Sequence, residues 1–104
     1  MEIQFIKDRI KTGDYEISFH AEEERYAEDI SIDDIEAAIL NGEILENYSD
    51  DPRGKSYLIL GYSEKKAIHI VCGLTTLKSV RIITVYLPAL PKWIDERTRK
   101  KKEN

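Results

Sequence analysis

Apolar residues change their spacing along this chain at about residue 42. Before this point they recur every three or four positions, as in Ile32, Ile35 and Ile39, which is typical of helices that bury one face. After it they form short alternating or continuous runs separated by polar turns, which is typical of strands. The pattern predicts helices first and strands afterwards, the order of an α+β domain.

The clearest predicted helix begins after Ser31, because Asp34 follows three residues later and completes a capping box. Gly42 is predicted to end this helix as a left-handed C-cap. The other predicted helices cover residues 2–11 and 20–29, with a short strand or extended entry at residues 14–19 between them.

Four strands are predicted, over residues 43–48, 56–62, 67–74 and 77–87. Short polar turns join them, so we expect an antiparallel meander with the N-terminal helices packed on it. Strict alternation places Ile82, Thr84 and Tyr86 on one face of the last strand, and Arg81, Ile83 and Val85 on the other. Trp93 follows two prolines and is expected to pack back on the sheet.

A chain of 104 residues predicts one domain, placed at residues 1–94, followed by a short basic tail over residues 95–104 that we expect to be flexible and solvated. The net charge of −4 divides into −7 for residues 1–91 and +3 for residues 92–104. An acidic body argues against broad electrostatic capture of nucleic acid. With no long apolar run, no signal-peptide pattern and a single cysteine, Cys72, we expect a cytoplasmic protein without membrane association or internal disulfide.

His20 and Arg25 are the first candidates for chemistry, because they lie where the short alternating run changes into a charged helix. An imidazole can move protons and a nearby guanidinium can hold the negative charge of a phosphate. The alternative for Arg25 is an ion pair on the helix surface with Glu22 or Asp29.

His69 and Tyr86 are further candidates in the strands, since two imidazoles and a phenol can share acid and base roles. The alternatives are a hydrogen-bonded core histidine and a half-buried aromatic residue at the rim of the sheet. Neither a metal site nor a cofactor is predicted, because the chain has no paired ligand spacing and no glycine-rich phosphate loop.

Several short segments together resemble the domain-of-unknown-function family 4258, over residues 14–94. They are Ser18-Phe19-His20-Ala21 with Arg25, Asn41-Gly42-Glu43-Ile44, Ser56-Tyr57-Leu58, Ile68-His69-Ile70-Val71, Ile83-Thr84-Val85-Tyr86 with Pro88, and Trp93. The resemblance implies a fold like the barnase–colicin–RelE type of ribonuclease toxin, and it marks His20, Arg25, His69, Thr84 and Tyr86 as site residues.

The leading hypothesis is therefore a metal-independent endoribonuclease, the toxin of a toxin–antitoxin pair. RNA would be its substrate, and a zinc-finger or helix-turn-helix antitoxin its partner. In this hypothesis the RNA 2′-hydroxyl attacks the phosphate, His20 or His69 is the base, the other histidine or Tyr86 is the acid, and Arg25 stabilises charge on the phosphate. The alternative is a non-catalytic interaction or regulatory module, in which His20 and Arg25 only fix a helix–strand corner.

Overall fold

The computed structural model describes residues 2–52, 54–75 and 77–101, so Arg53, Thr76 and residues 102–104, which belong to predicted turns and the predicted tail, lie outside it. It confirms an α+β fold. The helices are α1 (Glu2–Lys11), α2 (Phe19–Ala27) and α3 (Ile32–Leu40), and the strands are β1 (Tyr15–Ile17), β2 (Glu43–Tyr48), β3 (Ser56–Ser63), β4 (Lys66–Leu74) and β5 (Val80–Tyr86).

Within the described residues the sheet has five strands in the order β1-β5-β4-β3-β2 and is mixed, so the prediction of four antiparallel strands was wrong. Strands β2 to β5 form the expected antiparallel meander. The short segment Tyr15–Ile17 adds a fifth strand, which pairs in parallel with β5. Its hydrogen bonds to β5 satisfy backbone groups that would otherwise be left at the sheet edge.

The three helices cover one face of the sheet and enclose the main core. Ile35 and Ile39 of α3 and Ile6 of α1 are fully buried there. They belong to one cluster with alternate residues of the central strands, such as Ile59 and Ile70, because side chains two positions apart on a strand share a face.

Helix α3 has the capping box predicted from Ser31 and Asp34, in which each side chain accepts the other residue's backbone N–H at 2.9 Å. Gly42 follows this helix but has no positive φ, so the predicted left-handed cap was wrong. A Cβ at Gly42 would lie 2.6 Å from the carbonyl oxygen of Ala38 and 2.7 Å from Ile59. Close packing of α3 against β3 therefore explains this glycine.

The chain beyond β5 returns across the second face of the sheet, as predicted for Trp93. Trp93 is 2 % exposed, and its backbone forms an isolated antiparallel bridge with that of Arg99. We call residues 93–99 the strap. The predicted domain ended at residue 94, whereas sheet contacts continue to Arg99, whose guanidinium forms an ion pair with Glu46 of β2 at 2.7 Å.

Candidate functional site

The second face of the sheet is covered by the strap over one part and is open over the other. We call the open part the groove. It has a volume of about 800 Å³, which lies within the roughly 300–1,000 Å³ typical of ligand sites. The residues that line it are Glu16, Ser18, His20, Tyr48, Asp51, Gly54, Lys55, Ser56, Val71, Gly73, Leu74, Thr75, Arg81, Ile83 and Thr84.

His20 lies at the mouth of the groove, in the first turn of α2. The helix begins after Ser18, whose hydroxyl accepts the N–H of Ala21 at 3.0 Å, so the predicted strand-to-helix junction is confirmed. The side chain of His20 is 66 % exposed, and its Nε2 lies 3.3 Å from a carboxylate oxygen of Glu24. An exposed imidazole beside a carboxylate can exchange protons with a ligand in the groove.

Glu24 is itself fixed by the sheet. The same oxygen that faces His20 accepts the backbone N–H of Val85 at 3.1 Å. The carboxylate therefore connects the imidazole to β5. The sequence analysis did not single out Glu24, because three consecutive glutamates suggest only a solvated helix face.

Thr84 also lines the groove, because β5 contains a bulge. Val71 pairs with Thr84, but the next residue of β4, Cys72, pairs with Ile82, so Ile83 is an extra residue in β5. The bulge breaks strict alternation, and the predicted faces of this strand were wrong. Ile82 and Val85 are both buried in the helix-side core. Arg81, Ile83 and Thr84 all line the groove on the opposite face.

His69 and Tyr86 are brought together, but beneath the strap rather than in the groove. Nδ1 of His69 lies 3.1 Å from the Tyr86 hydroxyl, and Nε2 lies 2.7 Å from the carbonyl oxygen of Glu96. The ring of Trp93 packs edge-on against the imidazole, with ring centroids 4.4 Å apart. His69 is fully buried and Tyr86 is partly buried, so the imidazole is not available to a ligand in this conformation.

The hydrogen bonds of His69 define its tautomer. A carbonyl oxygen can only accept, so Nε2 carries the proton and donates to Glu96, while Nδ1 accepts from Tyr86. Burial lowers the pKa of His69 below its ordinary value, despite the opposing effect of the Glu96 carbonyl. Burial also raises the pKa of the Tyr86 phenol. The pair therefore remains neutral as a structural unit.

Arg25 does not line the groove, and it forms the ion pair with Glu22 that the alternative predicted. Its Nε donates to Glu22 at 2.6 Å, and its guanidinium stacks on the ring of Tyr26 at 4.4 Å. A longer contact reaches the carbonyl oxygen of Ile30 at 3.4 Å. The hydrogen bond with Arg25 lowers the pKa of Glu22 and raises that of Arg25.

The five predicted site residues thus fall into three places: His20 and Thr84 line the groove, His69 and Tyr86 lie beneath the strap, and Arg25 is paired on the surface of α2. The groove has other cationic side chains, Lys55 and Arg81. Arg81 faces Glu16 at 3.6 Å, a long ion pair between two exposed side chains. Sequence reasoning missed both cations, because no local pattern shows that Lys55 and the bulge of β5 meet at one groove.

Cys72 is a core residue, and burial raises the pKa of its thiol to about 12. Within residues 2–52, 54–75 and 77–101, no three His, Cys, Asp or Glu side chains are grouped so as to hold a metal ion. No helix in the same ranges is long and apolar enough to cross a bilayer.

Comparison with protein families identifies the family to which this chain belongs. The family described as domain of unknown function (DUF4258) matches residues 17–87. The match covers α2, α3 and β2 to β5, including His20, Thr84 and the bulge, and the chain belongs to this family. Neither the curated proteins nor the solved structures gave a match.

Proposed function

We propose that this protein is a metal-independent endoribonuclease, the toxin of a toxin–antitoxin pair, and that the groove is its active site. One observation carries the proposal: an exposed imidazole, His20, lies at a groove that also contains Arg81 and Lys55. The arrangement of helices on one sheet face and an open groove on the other supports the proposed relation to barnase–colicin–RelE type toxins. A shared fold alone would not establish this activity.

In the proposed reaction His20 takes the proton from a ribose 2′-hydroxyl, and the 2′-oxygen attacks the adjacent phosphorus. The bond from phosphorus to the 5′-oxygen breaks, which leaves a 2′,3′-cyclic phosphate. A water molecule in the open groove protonates the departing 5′-oxygen, and the resulting hydroxide takes back the proton from His20. Glu24 holds the imidazole and stabilises its charged form.

Arg81 and Lys55 take the role in charge stabilisation that the sequence analysis gave to Arg25. A guanidinium or ammonium group near the phosphate offsets the charge that develops on its oxygens. The groove also contains the acidic residues Glu16 and Asp51. Because the charges in the groove are mixed, we expect substrate binding to depend less on salt than binding by a basic surface would.

Cleavage of a short single-stranded RNA in excess chelator tests the proposal. Wild-type protein should release products that end in a cyclic phosphate, and His20→Ala should lower the rate at least about 100-fold. The cleavage rate of Glu24→Gln should lie between the rates of wild type and His20→Ala. Glu23→Gln is its matched control, since Glu23 is exposed on the same helix. Equal rates for wild type and His20→Ala would overturn the proposal.

Two arginine variants show whether the cation that supports cleavage lies in the groove or on α2. Arg81→Gln should lower the cleavage rate, because it removes a cation from the groove. Arg25→Gln should leave the rate near that of wild type, because the Arg25 guanidinium is held by Glu22. If Arg25→Gln lowers the cleavage rate and Arg81→Gln does not, Arg25 of α2 is the cation that stabilises the phosphate, as the sequence alone suggested.

The second candidate function is a non-catalytic module that binds a protein. The observation that favours it is a pair of exposed aromatic residues on α2, Phe19 at 78 % and Tyr26 at 73 % exposure. They are seven positions apart and so lie on one side of the helix. Such a surface suits a protein partner, such as the zinc-finger or helix-turn-helix antitoxin that the family resemblance implies.

The two candidates differ in what His20→Ala does in cells. Because the imidazole is 66 % exposed, this variant should keep the wild-type melting temperature within about 2 °C. If it also abolishes growth inhibition on expression, the enzyme is supported. If Phe19→Ser abolishes inhibition while RNA cleavage in vitro is absent for every variant, the interaction module is supported.

A further inference from the structure

The floor of the groove has a regular construction, in which large side chains stand at the two ends and small ones in the middle. The strand registers place one row of five residues across the sheet, from Glu16 through Arg81, Gly73 and Ser56 to Tyr48. Neighbouring strands are about 4.8 Å apart, so the backbones at Arg81 and Tyr48 are separated by roughly 14 Å. Between them the floor is made of Gly73 and Ser56.

Gly73 leaves room for the side chain of Ile83 at this floor. A Cβ at this position would lie 2.8 Å from Cδ1 of Ile83, the extra residue that the β5 bulge turns into the groove. Ile83 therefore forms an apolar wall close beside the glycine, and it is 36 % exposed. On the other side, the hydroxyl of Tyr48 hydrogen-bonds to Glu46 and lies 3.4 Å from Arg99, which fixes the second wall.

Ser56 supplies a polar group in this otherwise apolar floor. The residue as a whole is only 8 % exposed, and no described residue forms a hydrogen bond with its hydroxyl. The hydroxyl oxygen itself is not enclosed, so it can form a hydrogen bond with water. Because Ser56 lines the groove, its hydroxyl can also form a hydrogen bond with a molecule bound there.

We infer that this trough, formed by Gly73 and Ser56 between Ile83 and Tyr48, is a subsite for the base of one RNA nucleotide. The planar ring lies on the glycine floor between the two walls, and the Ser56 hydroxyl bonds to its edge. The neighbouring phosphate then lies toward Arg81 and His20. The assignment of this ligand class rests on the proposed function. A serine hydroxyl both donates and accepts, so it gives little discrimination among bases.

Titration of the 15N-labelled protein with adenosine 3′-monophosphate, followed by amide resonances, tests the subsite. Binding should shift the Gly73 and Ser56 amides, and inorganic phosphate alone should leave them in place. Gly73→Ala should weaken nucleotide binding by at least about tenfold, because the added methyl group and the displaced Ile83 fill the floor. Ser56→Ala should weaken it by about threefold to tenfold through one lost hydrogen bond. Ser49→Ala, at an exposed position on the turn after β2, is the matched control.

Failure of the subsite and failure of the nuclease proposal give different results. His20→Ala should abolish cleavage, but the nucleotide should still shift the Gly73 and Ser56 amides, because the base and not the imidazole contacts the trough floor. Nucleotide affinity that depends on Ser56 without any RNA cleavage would support the subsite and overturn the nuclease. RNA cleavage with nucleotide affinity unchanged in folded Gly73→Ala and in Ser56→Ala would overturn the subsite alone. If Gly73→Ala does not fold, Ser56→Ala and the amide shifts decide the question.

Discussion

Ser18 connects the start of α2 to the bulge of β5 through Ile83. Its hydroxyl accepts the N–H of Ala21 at 3.0 Å and donates to the carbonyl oxygen of Ile83 at 2.9 Å. Its own N–H donates to the carbonyl oxygen of Ile82 at 2.9 Å. One residue therefore caps the helix that carries His20 and positions it against the groove.

Replacing Ser18 with alanine should lower the free energy of unfolding by about 1–3 kcal/mol. The variant loses an N-cap and leaves a carbonyl group of β5 without its side-chain donor. Urea denaturation followed by circular dichroism measures the effect. Ser49→Ala should change stability by less than about 0.5 kcal/mol, since Ser49 is exposed. Equal stabilities for the two variants would contradict the capping role.

The buried neutral His69 should make stability depend on pH. Its pKa in the folded protein is lowered below the ordinary 6.5, so the unfolded chain binds a proton at a pH where the folded one does not. The contribution of His69 is therefore fully present above about pH 6.5 and is lost as the pH falls toward the lowered folded pKa, by at most about 1.4 kcal/mol per pH unit.

Urea denaturation of wild type and His69→Gln at about pH 7.5, 6.5 and 5.5 checks this pH dependence. The glutamine side chain does not titrate, so the free energy of unfolding of His69→Gln should fall less over this pH range than that of wild type. The Glu46 carboxylate, whose pKa is lowered by its hydrogen bond with Arg99, loses its contribution only at more acidic pH. Identical slopes for the two proteins would show that His69 is not the responsible group.

Trp93 should account for most of the stability that the strap adds. The indole is 2 % exposed and packs on His69, whereas its neighbour Ile94 is 61 % exposed. We expect Trp93→Ala to cost about 3–5 kcal/mol and Ile94→Ala less than about 0.5 kcal/mol. Thermal and urea denaturation of the two variants give the comparison. A small effect for Trp93→Ala would mean that the strap is loosely held in solution.

Gly61 should tolerate alanine much less well than Gly73. A Cβ at Gly61 would overlap the backbone of Ala38 in α3, whereas at Gly73 it meets only the end of the Ile83 side chain. Backbone cannot move aside as a flexible side chain can, so we expect a cost of about 3 kcal/mol for Gly61→Ala and about 1 kcal/mol for Gly73→Ala. Comparable melting temperatures for the two variants would show that α3 can shift on β3.

Local sequence signals predicted most of the fold. The Ser31–Asp34 capping box and the polar turns between strands act within a few residues, and the structure confirms the helix and the meander that they predict. The pairing of β1 with β5 joins residues about 65 positions apart and has no such signal. The bulge at Ile83 is also set by tertiary packing, and it changed the faces assigned to the last strand.

The candidate site was only partly predictable for the same reason. His20 lies at a junction that local patterns identify, and its side chain lines the groove. His69 looked equally suitable, but a strap that begins more than twenty positions later covers it. Glu24 has no distinguishing feature in the sequence, since its contact with Val85 exists only when α2 lies against β5.

The parallel pairing of Tyr15–Ile17 with Val80–Tyr86 has a consequence for synthesis of the chain. The ribosome makes β1 before the other described strands and its only described partner strand, β5, after them, so β1 cannot pair until about 65 further residues have been synthesised. Helix α2, which contacts β5 directly, waits with it. The proposed catalytic histidine therefore gains its final surroundings only after β5 has been synthesised, which delays any activity of the nascent protein.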